Sequence, residues 1–193
     1  QTGLIPVYLK DRFRGGEFFT NMKSVMTIHN LKFQGVWDVK TIQRFSMLPD
    51  YYFTPDKLEA YKDGNMLKGG IVFADAITTV SQTYAEEIKM PFYGEGLDGL
   101  MRARSGDLRG IVNGIDYDEF NPETDKLIAQ PYNAKNFRKE KGKNKKQLQA
   151  QLGLPVDEKK FMVGIVSRLT DQKGLDLIAE VMEQIVDDNT QFV

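Results

Sequence analysis

An unbroken apolar run, FMVGIV at residues 161–166, constrains the fold of this chain more than any other feature. A polar loop follows it, and apolar residues then recur at 3.6-residue spacing between Leu175 and Ile185. Such a run is typical of a parallel strand buried on both faces, and the spacing is typical of a helix with one apolar face. Residues 191–193 have the character of a strand beginning. We therefore predict a strand–helix–strand unit, with a parallel strand at 161–166 and a helix at 175–186.

The rest of the chain alternates between strand patterns and helical patterns. The predicted strands lie at 22–30, 75–80 and 108–112. The predicted helices lie at 67–74, after the candidate N-cap Ser81, and over a turn at 97–104. We predict a long irregular connection at residues 35–53. Strands that alternate with helices predict an α/β fold with parallel sheets.

A basic segment at 131–146 separates these patterns from the strand–helix–strand unit. It contains seven Lys or Arg side chains against one acid, Glu140. A charge run of this kind is typical of a solvated linker; the alternative is a patch that contacts an anionic partner. Beyond it, Leu148 and Leu152 lie four residues apart and predict a helix that ends at Gly153.

The composition excludes several classes of site and partner. The sequence has no cysteine, which excludes disulfides, thiolate zinc sites, iron–sulfur clusters and cysteine nucleophiles, and fits a reducing cytoplasm. A formal net charge of −1 predicts no strong attraction to nucleic acid or to an anionic membrane. No apolar run approaches the roughly 18–20 residues of a membrane helix. Because the chain starts at Gln1 and ends as a strand begins, we expect an internal fragment of a longer protein.

Ligand sites in open parallel sheets gather beyond the carboxyl ends of the strands, and three loops of this sequence qualify. The loop SRLTDQKG, residues 167–174, places Arg168 and Lys173 before a predicted helix N-terminus. Unpaired N–H groups and the helix dipole favour an anion there, and a guanidinium fork matches two phosphate oxygens. The pattern indicates a phosphate site, with one alternative: both cations are surface charges that pair with Asp171 or Asp176.

The other two loops carry His29 and Asn113. His29 is the only histidine and follows a predicted strand, where it is either structural or donates a hydrogen bond to a sugar hydroxyl or phosphate oxygen. Asn113, followed by Gly114, either forms a turn or presents a donor and an acceptor to a sugar.

Five motifs in these segments resemble bacterial glycogen synthases and plant starch synthases, which are retaining glycosyltransferases of the two-domain GT-B fold. The motifs are TIHNLKFQG (27–35), LKGGIVFADAITTVSQTYAEEI (67–88), YGEGLDGLM (93–101), IVNGIDYDEFNPETD (111–125) and GIVSRLTDQKGLDLI (164–178). The last is shared loosely with other GT-B transferases, but the five together are specific. The resemblance implies parts of two Rossmann-like domains: residues 1–126 from the acceptor-side domain, and residues 127–193 as a linker and the start of the nucleotide-sugar domain.

The same resemblance implies transfer of glucose from ADP-glucose to the non-reducing end of an α-1,4-glucan, with ADP as the leaving group. Arg168 and Lys173 are then catalytic and bind the diphosphate, His29 is catalytic and lies beside the donor glucose, and Asn113 contacts the same sugar. No cofactor and no metal are implied, in keeping with the lack of an acidic cluster near these loops. The expected setting is the bacterial cytoplasm, with a plastid as the alternative, and neither a nucleic-acid nor a membrane partner is expected.

Two functional elements of the family are not in this sequence: a Lys-x-Gly-Gly loop that contacts ADP-glucose, and a pair of glutamates seven residues apart. We therefore expect the 193 residues alone to be inactive. Two rival functions remain open. One is another GT-B transferase that uses a UDP-sugar, against which the motifs at 27–35 and 93–101 argue. The other is a non-catalytic module that binds glucan or nucleotide.

Overall fold

Short strands and helices alternate along the computed structural model of this chain, which describes residues 2–193. The strands are β1 Val25–Ile28, β2 Val36–Trp37, β3 Glu59–Ala60, β4 Asp63–Asn65, β5 Ala76–Thr79, β6 Leu108–Gly110, β7 Phe161–Val163 and β8 Thr190–Phe192. The α-helices are α1 Leu4–Asp11, α2 Val39–Ser46, α3 Met66–Phe73, α4 Gln82–Glu87, α5 Asp98–Ala103, α6 Phe137–Gln151 and α7 Leu175–Ile185. The chain divides into two units, Gln1–Gly114 and Ile115–Val193.

A parallel sheet of order β1-β5-β6 forms the centre of the first unit. Thr79 of β5 is in register with Ile28 of β1 and with Gly110 of β6. Parallel neighbours need long crossovers, and here these carry α2 and α3 before β5, and α4 and α5 after it. The apolar core around the sheet consists of Ile28, Leu31, Leu67, Ile71, Ile77, Ala85, Ile88, Leu97, Met101 and Leu108.

A small antiparallel sheet of order β2-β4-β3 belongs to the same unit. Its buried neighbours form a second apolar cluster of Leu4, Val7, Ile42, Leu48, Tyr52, Leu58 and Met66. Helix α1 packs on α3, and a Cβ on Gly70 would lie only 2.9 Å from the Cα of Gly3. The glycines that weaken the helical pattern of α3 are therefore required by this close packing.

In the second unit, β7 and β8 form a two-stranded parallel sheet, and α7 lies between them in the chain. Helix α6 is joined to β8 by a buried amide pair, in which Gln149 Nε2 donates to Gln191 Oε1 at 2.6 Å. Both glutamines are buried, and Gln149 Nε2 also donates to the Asp157 carbonyl at 2.8 Å. Buried polar groups that find partners in this way fix the position of the helix.

These elements confirm the α/β prediction with parallel sheets. The predicted strand at 75–80 corresponds to β5, and the predicted helix at 175–186 corresponds to α7. The strand predicted at 161–166 forms only over Phe161–Val163, as β7. The expected burial on both of its faces is wrong, because this sheet has only two strands and Phe161 is 68% exposed. The boundary predicted after residue 126 stays a prediction, while the two units divide after Gly114. Among the helices of residues 2–193, none is long and apolar enough to cross a membrane.

The prediction of a long irregular connection at 35–53 is wrong. Asp38 Oδ1 accepts a hydrogen bond from the Thr41 N–H at 2.9 Å, which caps the N-terminus of α2. Ile42 and Ser46 then face the protein interior and are buried. A good N-cap and one buried face are enough to form a two-turn helix within this segment.

The prediction of a solvated linker at 131–146 is also wrong from residue 137 onward, because these residues belong to α6. Lysine and arginine are good helix formers, and local partners offset the repulsion among them. Lys143 forms an ion pair with Glu140, and Lys146 forms one with Glu158.

Candidate functional site

The carboxyl edge of the parallel sheet carries the two predicted site residues of the first unit. β1 ends at Ile28, so His29 is the next residue, and β6 ends at Gly110, three residues before Asn113. Both strands flank β5 and run in the same direction. Both side chains are exposed. The structure therefore places His29 and Asn113 at the edge where open parallel sheets bind their ligands.

A cavity of about 240 Å³ opens beside His29. Its wall includes Asn30, Phe33 and Gln34 from the loop that follows β1. Imidazole and amide groups offer hydrogen bonds, and the aromatic ring offers an apolar surface. The cavity thus suits a ligand that has several hydroxyl groups and an apolar face.

The loop that forms this wall, residues 29–35, is anchored from within. The Leu31 N–H donates to the hydroxyl oxygen of Tyr84 in α4 at 3.0 Å, and the Leu31 side chain is fully buried. The Leu67 N–H, in the first turn of α3, donates to the Gln34 carbonyl at 2.9 Å. Two helices of the core therefore fix both ends of the loop that carries His29.

A side-chain contact also joins this loop to the glycine-rich loop at 94–97. Gln34 Nε2 donates to the Glu95 carbonyl at 2.9 Å, and Gln34 Oε1 accepts from Asn65 Nδ2 at 2.5 Å. The sequence alone predicts no role for these three residues. Gln34 and Glu95 stand in the motifs at 27–35 and 93–101, so the motif pattern marks the segments but does not show that they touch.

The end of β5, between the two loops, is held by its own side chains. The Thr79 hydroxyl donates to the Ile28 carbonyl at 2.7 Å, directly before His29, and Thr79 is buried. Ser81 Oγ accepts the Tyr84 N–H at 3.1 Å, which confirms the predicted N-cap of α4. Hydrogen bonds therefore fix the end of β5 between the two loops.

In the second unit, Arg168 and Lys173 lie in the loop between β7 and α7. Asp171–Lys173 form one 3₁₀ turn, and Gly174, with φ +66°, is the N-cap of α7. Both cations are exposed. The loop therefore ends, as predicted, at a helix N-terminus, where unpaired N–H groups and the helix dipole favour an anion.

Neither cation is neutralised by a neighbouring acid within residues 2–193. Ion pairs form elsewhere in the chain, but none includes Arg168 or Lys173. The pairing with Asp171 or Asp176 required by the surface-charge alternative is thus not formed. Both side chains are available to an anionic ligand.

His29 and Asn113 belong to one unit, whereas Arg168 and Lys173 belong to the other. The prediction that all four residues face one cleft therefore stays a prediction. In the part of the chain that the structure describes, no three His, Asp or Glu side chains are grouped so that they could hold a metal ion.

Displaced pKa values mark two groups that stabilise the fold. Hydrogen bonds from Ser24 and from Lys10 hold the pKa of Asp75, at the amino end of β5, well below its usual range. Burial lowers the pKa of Lys68 in α3, whose Nζ donates to the carbonyls of Pro55 and Glu59.

Known proteins with similar sequences and structures point to one family. Residues 1–103 match the family model described as the starch synthase catalytic domain. Over all 193 residues the chain is 69% identical to the glycogen synthase of Lachnospira eligens and 52% identical to that of Thermotoga maritima, covering 40% and 39% of those proteins.

A solved structure gives the same result at lower sequence identity. The catalytic domain of starch synthase IV from Arabidopsis thaliana, bound to ADP and acarbose, matches with a TM-score of 0.89 at 30% identity. The match covers 99% of this chain and 39% of that one. The chain therefore spans about two-fifths of the length of the relatives that it matches.

Proposed function

Because this chain belongs to the family of the starch synthase catalytic domain, which has the GT-B fold, we propose that it forms part of a retaining glucosyltransferase. The proposed reaction transfers glucose from ADP-glucose to the non-reducing end of an α-1,4-glucan. The observation that carries the proposal is the pair of cations without acidic partners, Arg168 and Lys173, beside the N-terminus of α7. A starch synthase of similar structure, bound to ADP and acarbose, supports the proposed classes of ligand.

The role of the two cations follows from the bond that breaks. When C1 of glucose separates from the diphosphate, negative charge grows on the oxygens of the departing ADP. Arg168 would meet two of these oxygens with its planar fork, and Lys173 would act as a compact charge. Charges placed in advance where charge develops stabilise the transition state more than the ground state.

His29 and Asn113 would act on the sugar rather than on the diphosphate. Both follow strands of the same parallel sheet, and the lining of the cavity of about 240 Å³ beside His29 includes hydrogen-bonding groups and one aromatic ring. Imidazole and amide groups fit the hydroxyls of glucose. We propose that they orient the donor glucose toward the acceptor hydroxyl, a contribution of position rather than of proton transfer.

The proposed transfer needs no metal and no cofactor, and its partners are ADP-glucose, ADP and an α-1,4-glucan. We propose the bacterial cytoplasm as its setting, which the cysteine-free sequence fits.

A chimaera tests the proposal directly. Residues 1–193 replace the matching segment of the Lachnospira eligens glycogen synthase, and transfer of labelled glucose to glycogen is measured with ADP-glucose and with UDP-glucose. We expect transfer from ADP-glucose and release of the label by an α-1,4-specific amylase. Transfer from UDP-glucose alone would favour the rival transferase. Nucleotide or glucan binding without transfer, while the unaltered host enzyme remains active, would favour the non-catalytic module.

A further inference from the structure

We propose that Gln34 is a positioning residue, which holds the loop carrying His29 against the glycine-rich loop at 94–97 and so fixes the sugar-binding edge of the sheet. The inference rests on the proposed glucosyl transfer. Gln34 lines the cavity beside His29. Its side-chain amide also forms two hydrogen bonds: Nε2 donates to the Glu95 carbonyl, and Oε1 accepts from Asn65.

The orientation of this amide follows from its neighbours. Asn65 is 1% exposed, and its Oδ1 accepts the Lys68 N–H at 2.9 Å as the N-cap of α3. Only the Nδ2 group of Asn65 then remains to face Gln34, so Gln34 must present its oxygen to Asn65. Its Nε2 therefore points to the Glu95 carbonyl. A helix cap anchored in the core thus determines which end of Gln34 reaches the glycine-rich loop.

The backbone that Gln34 contacts is strained. Glu95 has φ +47°, in the left-handed region that non-glycine residues avoid because the side chain crowds the backbone. Tyr61 and Lys62 have φ +55° and +75°, and the Tyr61 hydroxyl donates to the Gly96 carbonyl at 3.0 Å. Of the four non-glycine residues with positive φ in the described chain, Tyr61 and Glu95 take part in this contact, whereas Lys62 and Met47 do not.

Such strain persists only where the surroundings enforce it, and it gathers at sites that must keep one geometry. Two side chains, Gln34 and Tyr61, bond to consecutive carbonyls of the strained turn at Glu95 and Gly96. We infer that loss of the hydrogen bond from Gln34 to the Glu95 carbonyl lets this turn relax. The loop at 29–35, which forms the wall of the cavity, is then no longer held to the loop at 94–97.

Gln34→Glu removes the hydrogen bond to the Glu95 carbonyl and keeps the one from Asn65. Its carboxylate still accepts from Asn65, but it places a negative oxygen against the Glu95 carbonyl. Tyr61→Phe removes the second bond to the turn from an 80% exposed side chain, where the fold is not at risk. Gln151→Leu, at the exposed end of α6, is the control.

The first experiment uses the 193-residue chain and needs no activity. Amide exchange is measured at Leu97, whose N–H donates to the Gly94 carbonyl at 2.7 Å, and at Ile77 in the core. We expect Gln34→Glu and Tyr61→Phe to speed exchange at Leu97 by up to about tenfold, as loss of one hydrogen bond predicts, while Ile77 is unchanged. The Cε1–H signal of His29, the only histidine, should shift in Gln34→Glu. Unchanged exchange and an unchanged signal would overturn the proposal, and equal loss of protection at Ile77 would make Gln34 a purely structural residue.

The second experiment measures steady-state kinetics in the chimaera. A positioning role predicts that Gln34→Glu lowers kcat by about tenfold or more at an unchanged thermal midpoint, since misplaced groups lose rate rather than stability. Gln151→Leu should match the parent. A normal kcat in Gln34→Glu rejects the role. If the parent and Gln151→Leu both transfer no glucose, the proposed function fails, and the exchange result still decides whether Gln34 positions the loop.

Discussion

Lys10 Nζ lies 2.9 Å from Asp75 Oδ1, and this ion pair joins the last turn of α1 to the residue before β5. The other oxygen of Asp75 accepts from the N–H of Ser24 at 2.8 Å and from its hydroxyl at 3.1 Å. One carboxylate therefore holds α1 and the amino ends of β1 and β5 together, at the edge of the sheet opposite His29.

This carboxylate predicts how stability depends on pH. The pKa of Asp75 is depressed in the folded chain, first by the Ser24 N–H and then by Lys10. Its charge therefore stabilises the fold above the ordinary aspartate pKa of about 4, and the stabilisation is lost as the pH falls through the depressed value. We expect Asp75→Asn to lower the free energy of unfolding by about 1–3 kcal/mol at pH 7 and by much less in strong acid. Urea unfolding at both pH values measures this, and an equal loss at both would contradict it. Asp118→Asn, at an exposed position, is the control.

The hydrogen bonds of Arg104 predict that its replacement lowers the free energy of unfolding. Its guanidinium donates to the carbonyls of Ile71, Val72 and Ala74 at the end of α3, and its Nε donates to Asp107. A lysine cannot reproduce this fork. We expect Arg104→Lys to lower the free energy of unfolding by about 2–4 kcal/mol, because carbonyls of the last turn lose their partner. Trp37 fluorescence during urea unfolding gives the value. Arg44→Lys, at an exposed site, should change it little, and a similar loss in both variants would refute the capping role.

Two glycines form a matched pair near the site. A Cβ on Gly110 would lie 2.4 Å from the Cα of Gln82, whereas a Cβ on Gly106 would meet nothing within 4 Å. We expect Gly110→Ala to destabilise the chain by about 1–3 kcal/mol through overpacking and to perturb the amide signal of Asn113. Gly106→Ala should leave both quantities near the parent. Thermal unfolding and a two-dimensional amide spectrum check the pair, and equal effects would show that Gly110 does not lie against Gln82 at the start of α4.

The last prediction concerns the cations before α7. In the chimaera, Lys173→Ala should lower kcat by about 10²–10³, the usual effect of losing one group that stabilises developing charge. Glucan affinity should change far less, because the lysine meets the nucleotide. Lys173→Arg should restore only part of the rate, since a planar fork does not replace a compact ammonium. Steady-state kinetics decides, and a near-normal turnover in Lys173→Ala would mean that Lys173 is only a surface charge.

The elements that the sequence predicted are those whose apolar residues repeat with a clear period or run unbroken. The run at 161–166 and the stripe from Leu175 to Ile185 led directly to β7 and α7. The antiparallel sheet was missed, because strands of two or three residues have no period to detect. The turn between β3 and β4 has Tyr61 and Lys62 at positive φ, whereas glycine or asparagine usually occupies such positions and makes a hairpin recognisable in a sequence.

The candidate site was predictable only where a residue follows a strand. This rule predicted His29, Asn113, Arg168 and Lys173 as site residues, and the structure places the first two at the carboxyl edge of one sheet. It could not find Gln34, because the partner that gives Gln34 its role, Glu95, lies 61 residues further along the chain. Contacts of this kind arise from the tertiary fold and leave no local pattern.

The register of the parallel sheet has a consequence for the order of folding. Val25 of β1 pairs with Ala76, and Ile77 of β5 pairs with Leu108, so each pairing must close a long stretch of chain. The hairpin of β3 and β4 needs only the turn between Ala60 and Asp63, and hairpins form in about 1–10 μs. Loop-closure entropy delays contacts between distant residues. We therefore expect the hairpin to form early and the sheet late, so that His29 and Asn113 come to one edge only as the first unit completes its folding.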